Sequence, residues 1–280
     1  MLPILFEVGP IKIYTFGIFL TLSFFWGSFL LWKVIRLSSY KEDDIFDGLF
    51  FSLFIGLFFG RIVYVLLHGR EFGFNIAKIV LINGFPGLSL FGGIFGGFLG
   101  LLLFFSIKKI KFSELVDYFI APLFLSIGIG KFGSFFSGSE VGTRTKVFFA
   151  VKYANMEGLR HLTPLYEGVL FFLGAFLAYK LLFLIRKNVY PKNFSLLFFI
   201  WFFSLVGSLL DGIKQYHLFI YTFSLNYVMS IFLLLTFSFY FLYYFRSLIL
   251  KKILLMINII QSYAKKIYKR IAHSTKRNSS

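Results

Sequence analysis

Long apolar stretches, separated by short polar segments, recur along almost the whole chain. Each stretch holds about 20 mostly apolar residues, the length that an α-helix needs to cross the hydrocarbon core of a bilayer. The pattern predicts an all-α integral membrane protein with seven transmembrane helices. Their expected bounds are 11–32, 46–67, 88–105, 116–136, 165–185, 194–212 and 225–245.

The composition strengthens this interpretation. Of the 280 residues, 58% are hydrophobic and 15% are charged, and 44 are Phe. A soluble domain of this size needs far more polar residues to cover its surface. The first apolar stretch belongs to the repeated series, so we expect no separate signal peptide. The absence of Cys from the sequence excludes disulfides, thiolate metal sites and a cysteine nucleophile.

Basic residues alternate between the predicted connections. Most of the 29 Lys and Arg residues follow spans one, three, five and seven. Under the positive-inside rule, this bias places the N-terminus outside and the C-terminus in the cytoplasm. We therefore expect a seven-span membrane domain, residues 1–247, with an extracytoplasmic loop at 137–164. A basic cytoplasmic tail, residues 248–280, follows. Its aromatic and basic residues favour anionic lipid as its partner over nucleic acid.

The segment "GIGKFGSFFSGSEVG", residues 128–142, contains Gly128, Gly130 and Gly133 at the spacing G-x-G-x-x-G. A dinucleotide-binding loop at this spacing requires a preceding strand and an acidic residue about 20 positions later. This segment instead ends predicted span four, where an open strand is not stable in lipid. We expect Gly128 and Gly130 to allow close helix packing, as expected also for the glycines of "FGGIFGGFLG" in span three.

Several ionisable residues fall at one predicted depth, near the outer ends of different spans. They are Arg61, Lys131, Arg160, His161, Glu167, Asp211 and Lys214. Charged side chains inside spans are costly and usually face a protein interior or a water-filled cavity. The set predicts a shared polar cavity whose cations suit an anionic lipid phosphate. For Arg61 alone the alternative is snorkelling. Asp117 and Lys180 lie on the inner side, where snorkelling or a helix-end role is expected.

The residues from Gly130 to Gly142 resemble the signature G-R-x-G-N-F-x-N-x-E-x-x-G of the prolipoprotein diacylglyceryl transferases. Further segments follow in the family's order, from about residue 9 to residue 230. "DGLFFSLFIGLFFGRIVYVL" resembles the second span, and "RHLTPLYEG" resembles R-H-P-S-Q-L-Y-E. The sequence departs from the family pattern at several positions that the family uses for polar groups. Ser137 replaces one Asn and Ser139 replaces the Glu, although Glu140 lies one position later. Phe91 replaces a His, Lys131 an Arg, Ser134 an Asn and Gly207 an Arg.

The resemblance implies a phosphatidylglycerol–prolipoprotein diacylglyceryl transferase in the cytoplasmic membrane of a bacterium. Such an enzyme moves a diacylglyceryl group from phosphatidylglycerol to the lipobox cysteine thiol of a prolipoprotein, with no cofactor or metal. The implied partners are phosphatidylglycerol, prolipoprotein signal peptides and membrane lipids.

The residues expected to bind the phosphatidylglycerol headgroup are Arg61, Tyr64, Lys131, Ser134, Gly142 and Arg160, and those expected to act in catalysis are His161, Glu167 and Arg61. The alternatives for Glu167 are a cap of span five or a pair with Arg160, and for His161 a bond to a loop carbonyl.

The sequence leaves two alternatives to an active transferase. The first is a degenerate family member that binds anionic lipid or lipoprotein without transfer, which the changes at Phe91, Lys131, Ser134 and Gly207 favour. The second is a channel or transporter. It is disfavoured because the inner halves of the spans are mostly Phe, Leu and Ile, whereas transport sites need polar residues near mid-bilayer.

Overall fold

The computed structural model describes residues 2–8, 11–73, 87, 89–153, 156–215, 219–220, 223–224 and 226–247, and residues 250, 251, 254 and 256 of the tail. The greater part of the predicted basic tail therefore lies outside the described residues, and its role stays a prediction. Across these ranges the chain is mostly helical.

The apolar stretches form helices. These are α1 (Thr15–Ile35), α2 (Glu42–Leu67), the short α3 (Gly69–Phe72), α4 (Leu90–Ile107), α5 (Phe112–Ser137), α6 (Thr163–Arg186), α7 (Phe194–Leu210) and α8 (Asn226–Ser247). A 3₁₀ turn, Asp211–Ile213, extends α7. Six helices are long and apolar enough to cross a membrane, and α4 is a shorter apolar helix. The expected multi-pass helical architecture is therefore confirmed.

The start of the first predicted span is wrong by four residues. Residues 11–14 form strand β2 (Ile11–Tyr14), which pairs antiparallel with β1 (Ile4–Val8), and α1 begins only at Thr15. The β-branched alternation of "IKIY" favours a strand, but a hydropathy window counts only its apolar residues. Two further hairpins were not predicted: β3 (Val151–Lys152) with β4 (Leu159–Arg160), and β5 (Phe219–Ile220) with β6 (Phe223–Ser224).

Helices α2 and α4 pack closely through glycines, as the sequence predicted. A Cβ added at Gly96 would lie 2.4 Å from the Cβ of Phe59, and one added at Gly56 would lie 2.9 Å from the carbonyl oxygen of Gly93. Side chains larger than hydrogen at these positions would push the two backbones apart. The glycines therefore fix α4 against α2 along its length.

Helix α5 lies between α1 and α6 and forms the centre of the bundle. Phe124 of α5 is fully buried and its ring lies 5.5 Å from that of Phe202 in α7. A second apolar cluster, built around Val34, Phe105 and Leu182, fills the end of the bundle where α1 finishes. Because α5 and α6 are joined by one connection and pack side by side, the end of α5 lies beside the start of α6.

Two expectations about α5 have different outcomes. Gly128 is a packing glycine, since an added Cβ would lie 2.9 Å from the ring of Phe172, whereas an added Cβ at Gly130 would meet nothing within 4 Å. The packing role predicted for Gly130 is therefore wrong, because its side of α5 faces open space. The helix-end role expected for Asp117 is confirmed: its two carboxylate oxygens accept the backbone N–H groups of Asn193 and Ser195, at 2.7 and 3.0 Å.

Candidate functional site

A buried glutamate joins α5, α6 and the end of α7. Glu167, in the first turns of α6, has a side chain that is only 4% exposed. Its Oε2 lies 2.7 Å from Nζ of Lys131 in α5, and its Oε1 lies 2.6 Å from Nζ of Lys214, just after the 3₁₀ turn. Two ammonium groups balance the carboxylate, which otherwise carries the large cost of a buried unpaired charge. Glu167 therefore holds three elements at one point.

Glu140 completes this arrangement from the loop that follows α5. Gly138 ends the helix in the left-handed conformation, at φ 73°, and turns the chain back. Lys131 Nζ donates to both carboxylate oxygens of Glu140, at 2.8 and 2.7 Å, and Ser134 Oγ donates to Oε1 at 3.2 Å. The five residues Lys131, Ser134, Glu140, Glu167 and Lys214 are called the charge network below. Its two lysines and two glutamates sum to zero charge.

The charge network contains three of the predicted site residues: Lys131, Ser134 and Glu167. The pairing of Glu167 differs from the sequence-based alternative, because its partners are two lysines and not Arg160. Glu140 and Lys214 were not among the predicted site residues. Both carried a signal, since Lys214 falls at the same predicted depth as Lys131 and Glu140 lies inside the signature segment.

A short strap, residues 141–143, brings Lys214 to Glu167. The N–H of Thr143 donates to the carbonyl of Ile213 at 2.8 Å, and the N–H of Gln215 donates to the carbonyl of Val141 at 3.0 Å. Gly142 lies between them in a β-bridge with Lys214. A Cβ at Gly142 would lie 2.4 Å from the carbonyl oxygen of His161, so only glycine fits. Gly142, predicted as a headgroup-binding residue, thus lies where the backbone of the strap packs closely against the backbone of His161.

Arg160 stabilises the strap from β4. Its Nη1 donates to the Gly142 carbonyl at 3.2 Å and to Oε1 of Gln215 at 2.6 Å, and the residue is buried. His161 contributes through its backbone, whose N–H donates to the Thr143 carbonyl at 3.1 Å. The His161 ring faces that of Tyr166 edge-on, with 6.4 Å between centroids. Arg160 and His161 therefore both form hydrogen bonds with the strap.

Three polar atoms beside the strap are buried and have no hydrogen-bond partner among the described residues: the hydroxyls of Tyr153 and Tyr166 and Nε of Arg160. Burial, with the nearby Tyr166 and Glu140, raises the pKa of Tyr153 to about 12. Buried polar groups are normally bonded, so each of these donors can serve a ligand oxygen or a water molecule. No sequence pattern pointed to Tyr153.

Arg61 and Tyr64 form a second group, on α2. Arg61 is buried and its Nη1 donates to the carbonyl of Gly87 at 2.9 Å. Its guanidinium carbon lies 5.1 Å from the ring centroid of Phe72 and 6.0 Å from that of Tyr64. The arginine is therefore enclosed by protein, and the snorkelling alternative is wrong for it.

The departures from the family pattern at Phe91, Lys131, Ser134 and Gly207 fall in different surroundings. Lys131 and Ser134 are in the charge network. An added Cβ at Gly207 would lie 2.5 Å from Oγ of Ser230 in α8, so a longer side chain there requires the Ser230 side chain to move. Phe91 is the second residue of α4, and its side chain lies outside what the structure describes. Within the described part of the chain, no three His, Cys, Asp or Glu residues are grouped to hold a metal.

Comparison with known proteins gives one family. The family model described as prolipoprotein diacylglyceryl transferase matches residues 3–243. Similar curated proteins are named phosphatidylglycerol–prolipoprotein diacylglyceryl transferase. The one from Finegoldia magna is 29% identical over 184 residues, which cover 65% of this chain and 71% of the relative. The one from Clostridioides difficile is 27% identical over 210 residues, 75% and 82% of the two chains. The one from Pasteurella multocida is 33% identical over 173 residues, 60% and 63% of the two chains.

Proposed function

The chain belongs to the prolipoprotein diacylglyceryl transferase family, and we propose that it transfers a diacylglyceryl group from phosphatidylglycerol to the lipobox cysteine thiol of a prolipoprotein. We place the reaction at the outer face of the cytoplasmic membrane of a bacterium, with the N-terminus outside and the basic tail in the cytoplasm. The proposal rests on the charge network, which holds two lysines at the end of the bundle where α5 finishes and α6 begins.

The reaction needs a cation at the phosphate. The cysteine sulfur attacks the glycerol carbon of the diacylglyceryl group, an S–C bond forms, and the bond from that carbon to the phosphate oxygen breaks. Glycerol phosphate leaves with the electron pair, so negative charge grows on the phosphate, where fixed cations stabilise the transition state. Lys131 and Lys214 are the cations of the charge network, and Arg61 supplies a further one on α2.

Lys131 becomes available to a phosphate by loss of its contact with Glu140. The Glu140 side chain is 39% exposed, whereas Glu167 is almost completely buried. Water can solvate the departing Glu140 carboxylate, but a departing Glu167 would remain as an uncompensated buried charge. The headgroup phosphate therefore takes the place of Glu140, and Glu167 keeps both lysines in position.

The thiol proton must pass to a base, and His161 is the better candidate. Accepting a proton on Glu167 would break two ion pairs of 2.6 and 2.7 Å, which costs much of the network's stability. The His161 imidazole is half-buried beside the Tyr166 ring, and an imidazole is the side chain that most often accepts a proton in acid–base catalysis. Tyr153, Tyr166 and Arg160 offer their unpartnered donors to the substrate oxygens.

Complementation of a transferase-depleted bacterium tests the proposal. The mass of a lipoprotein N-terminus should increase by one diacylglyceryl group when this chain is expressed, and Lys131→Ala should abolish that product. Arg144→Ala is the matched control, because Arg144 forms an exposed ion pair with Glu157 in the same outer region, at 3.4 Å. A well-expressed chain that leaves the lipoprotein unmodified supports the binding-only alternative and refutes transfer.

A further inference from the structure

A cavity of about 720 Å³ lies at the end of the bundle opposite to the charge network. Glu114, which lines it, and Lys131 are both on α5, 17 residues apart, so about 26 Å of helix separates the two places. The cavity is lined by the α1–α2 connection, the start of α5, the end of α6, the α6–α7 connection and one residue of α8. The polar lining side chains on which the argument rests are those of Tyr40, Glu114, Asp117, Tyr118, Arg186 and Lys192.

Glu114 is the acidic lining residue that a ligand can use. The other lining carboxylate, Asp117, already accepts the two backbone N–H groups at the start of α7. One oxygen of Glu114 accepts the hydroxyl of Tyr40 at 2.7 Å, which fixes the direction of the carboxylate. The second oxygen lies 3.4 Å from Nζ of Lys192, whose side chain is 71% exposed. A long, exposed ion pair of this kind contributes little, so another primary ammonium can replace Lys192.

Arg186 supplies a cation to the lining of the same cavity. Its Nη1 donates to the hydroxyl of Tyr118 at 2.9 Å and to the carbonyl of Leu37. Tyr118 follows Glu114 by four residues on α5, so the two residues lie on the same face of the helix, with a rise of about 6 Å between them. The cavity thus presents a guanidinium and a carboxylate, whose charges are complementary to the phosphate and the ammonium of a zwitterionic headgroup.

The position of the cavity points to a lipid and not to a solute of the aqueous phase. The lining elements are the ends of membrane-spanning helices, where the headgroups of a bilayer lie. Four of the lining residues are tyrosines, which favour this interface because their rings are apolar and their hydroxyls are polar.

We propose that this cavity binds the headgroup of a phospholipid that carries a primary ammonium, with Arg186 at the phosphate and Glu114 at the ammonium. This site goes beyond the proposed transfer reaction, since phosphatidylglycerol has no ammonium group and the charge network lies at the other end of the bundle. The bound headgroup lies between the α1–α2 connection, α5, α6 and α8.

Lipid binding to the purified full-length protein, measured by native mass spectrometry, tests this proposal without reference to transfer. The probes are phosphatidylethanolamine, phosphatidylcholine and phosphatidylglycerol with identical acyl chains. We expect phosphatidylethanolamine to bind about tenfold more tightly than the other two, because only its ammonium donates charge-assisted hydrogen bonds to Glu114. Equal binding of the three lipids would overturn the proposal. So would equal competition by soluble glycerophosphoethanolamine, since the ligand would then need no acyl chains.

Variants locate the binding. Glu114→Gln keeps an acceptor for Tyr40 and should remove the preference for phosphatidylethanolamine, whereas Arg186→Ala should weaken all three lipids. The controls are Glu42→Gln and Arg36→Ala, because Glu42 and Arg36 form an ion pair of 3.1 Å at the same end of the bundle, and the Glu42 carboxylate is as exposed as that of Glu114, at 36%. If Arg186→Ala does not fold, Arg186→Lys replaces it and should weaken binding through loss of the planar fork. An unchanged preference in Glu114→Gln, or the same loss in Glu42→Gln, contradicts the assignment.

Discussion

Glu140→Gln should increase the affinity of the protein for phosphatidylglycerol. Both carboxylate oxygens of Glu140 accept hydrogen bonds from Nζ of Lys131, at 2.7 and 2.8 Å. The proposed reaction needs that ammonium group to bind the phosphate. The glutamine side chain keeps the shape of the glutamate and the bond from Ser134 but removes the charge. A phosphate then no longer competes with a carboxylate for Lys131.

The size of the effect follows from the exposure of the pair. The contact is short and bidentate, yet the Glu140 carboxylate is 39% exposed, so solvent screens it and we discount its worth to about 1 kcal/mol. A free-energy difference of about 1 kcal/mol corresponds to a factor of about five in an equilibrium constant. The KM for phosphatidylglycerol should therefore fall about fivefold, with little change in kcat.

The assay is transfer from phosphatidylglycerol in mixed micelles to a lipobox peptide, with KM and kcat measured separately. Glu157→Gln is the control, because Glu157 also pairs with a cation after α5, but its side chain is 93% exposed and its partner Arg144 is outside the network. A rise in KM for Glu140→Gln, similar to that of Lys131→Ala, would refute the reasoning. Glu140 would then hold Lys131 in place for the phosphate and not compete with it.

Three further predictions concern stability. Glu167→Gln should lower the free energy of unfolding by about 3–5 kcal/mol in detergent melts, because it leaves two lysines without their shared carboxylate; a loss below about 1 kcal/mol would contradict the buried bridge. Gly142→Ala should lower the Tm by several degrees, because its Cβ would lie 2.4 Å from a carbonyl oxygen. Gly130→Ala should keep or raise the Tm, because an added Cβ there meets open space and Ala favours the helix. Equal Tm values for the two variants would refute this prediction. Because Tyr153 holds its proton more tightly when folded, its contribution to stability is complete below about pH 10 and is lost as the pH rises towards about 12; a Tyr153→Phe chain with the same decline would remove this assignment.

Hydropathy was sufficient for the helices because the length of an apolar run is a property of the sequence alone. It was insufficient at residues 11–14. The strand β2 is as apolar as the start of a helix, and only its pairing with β1 distinguishes a strand from a helix there. The predicted third span is shifted by two residues at each end, since α4 (Leu90–Ile107) begins after Ser89, whose side chain caps the first turn by accepting the N–H of Gly92.

The site was predictable only in part. The sequence predicted that Lys131, Glu167 and Lys214 lie at one depth, since residues at neighbouring ends of antiparallel spans share a level in the bilayer. Which carboxylate faces which ammonium depends on helix rotation and on the turn after α5, and neither follows from spacing. Glu140 and Tyr153 lie in that irregular segment, so the contacts that they make follow only from the fold, although Glu140 lies inside the signature segment. The predicted family is confirmed by the match over residues 3–243.

The strap has a consequence for the order in which the protein is made. It bonds Thr143 to Ile213, which are 70 residues apart, and it positions Lys214 against a carboxylate that entered with α6. A membrane protein is synthesised from its N-terminus, so Glu167 is inserted before one of its two lysines exists. A chain that stops before residue 211 has the helices α5 and α6 but an incompletely balanced buried charge between them. Synthesis of the turn that follows α7 is thus the step that supplies the second lysine to Glu167 and completes the charge network.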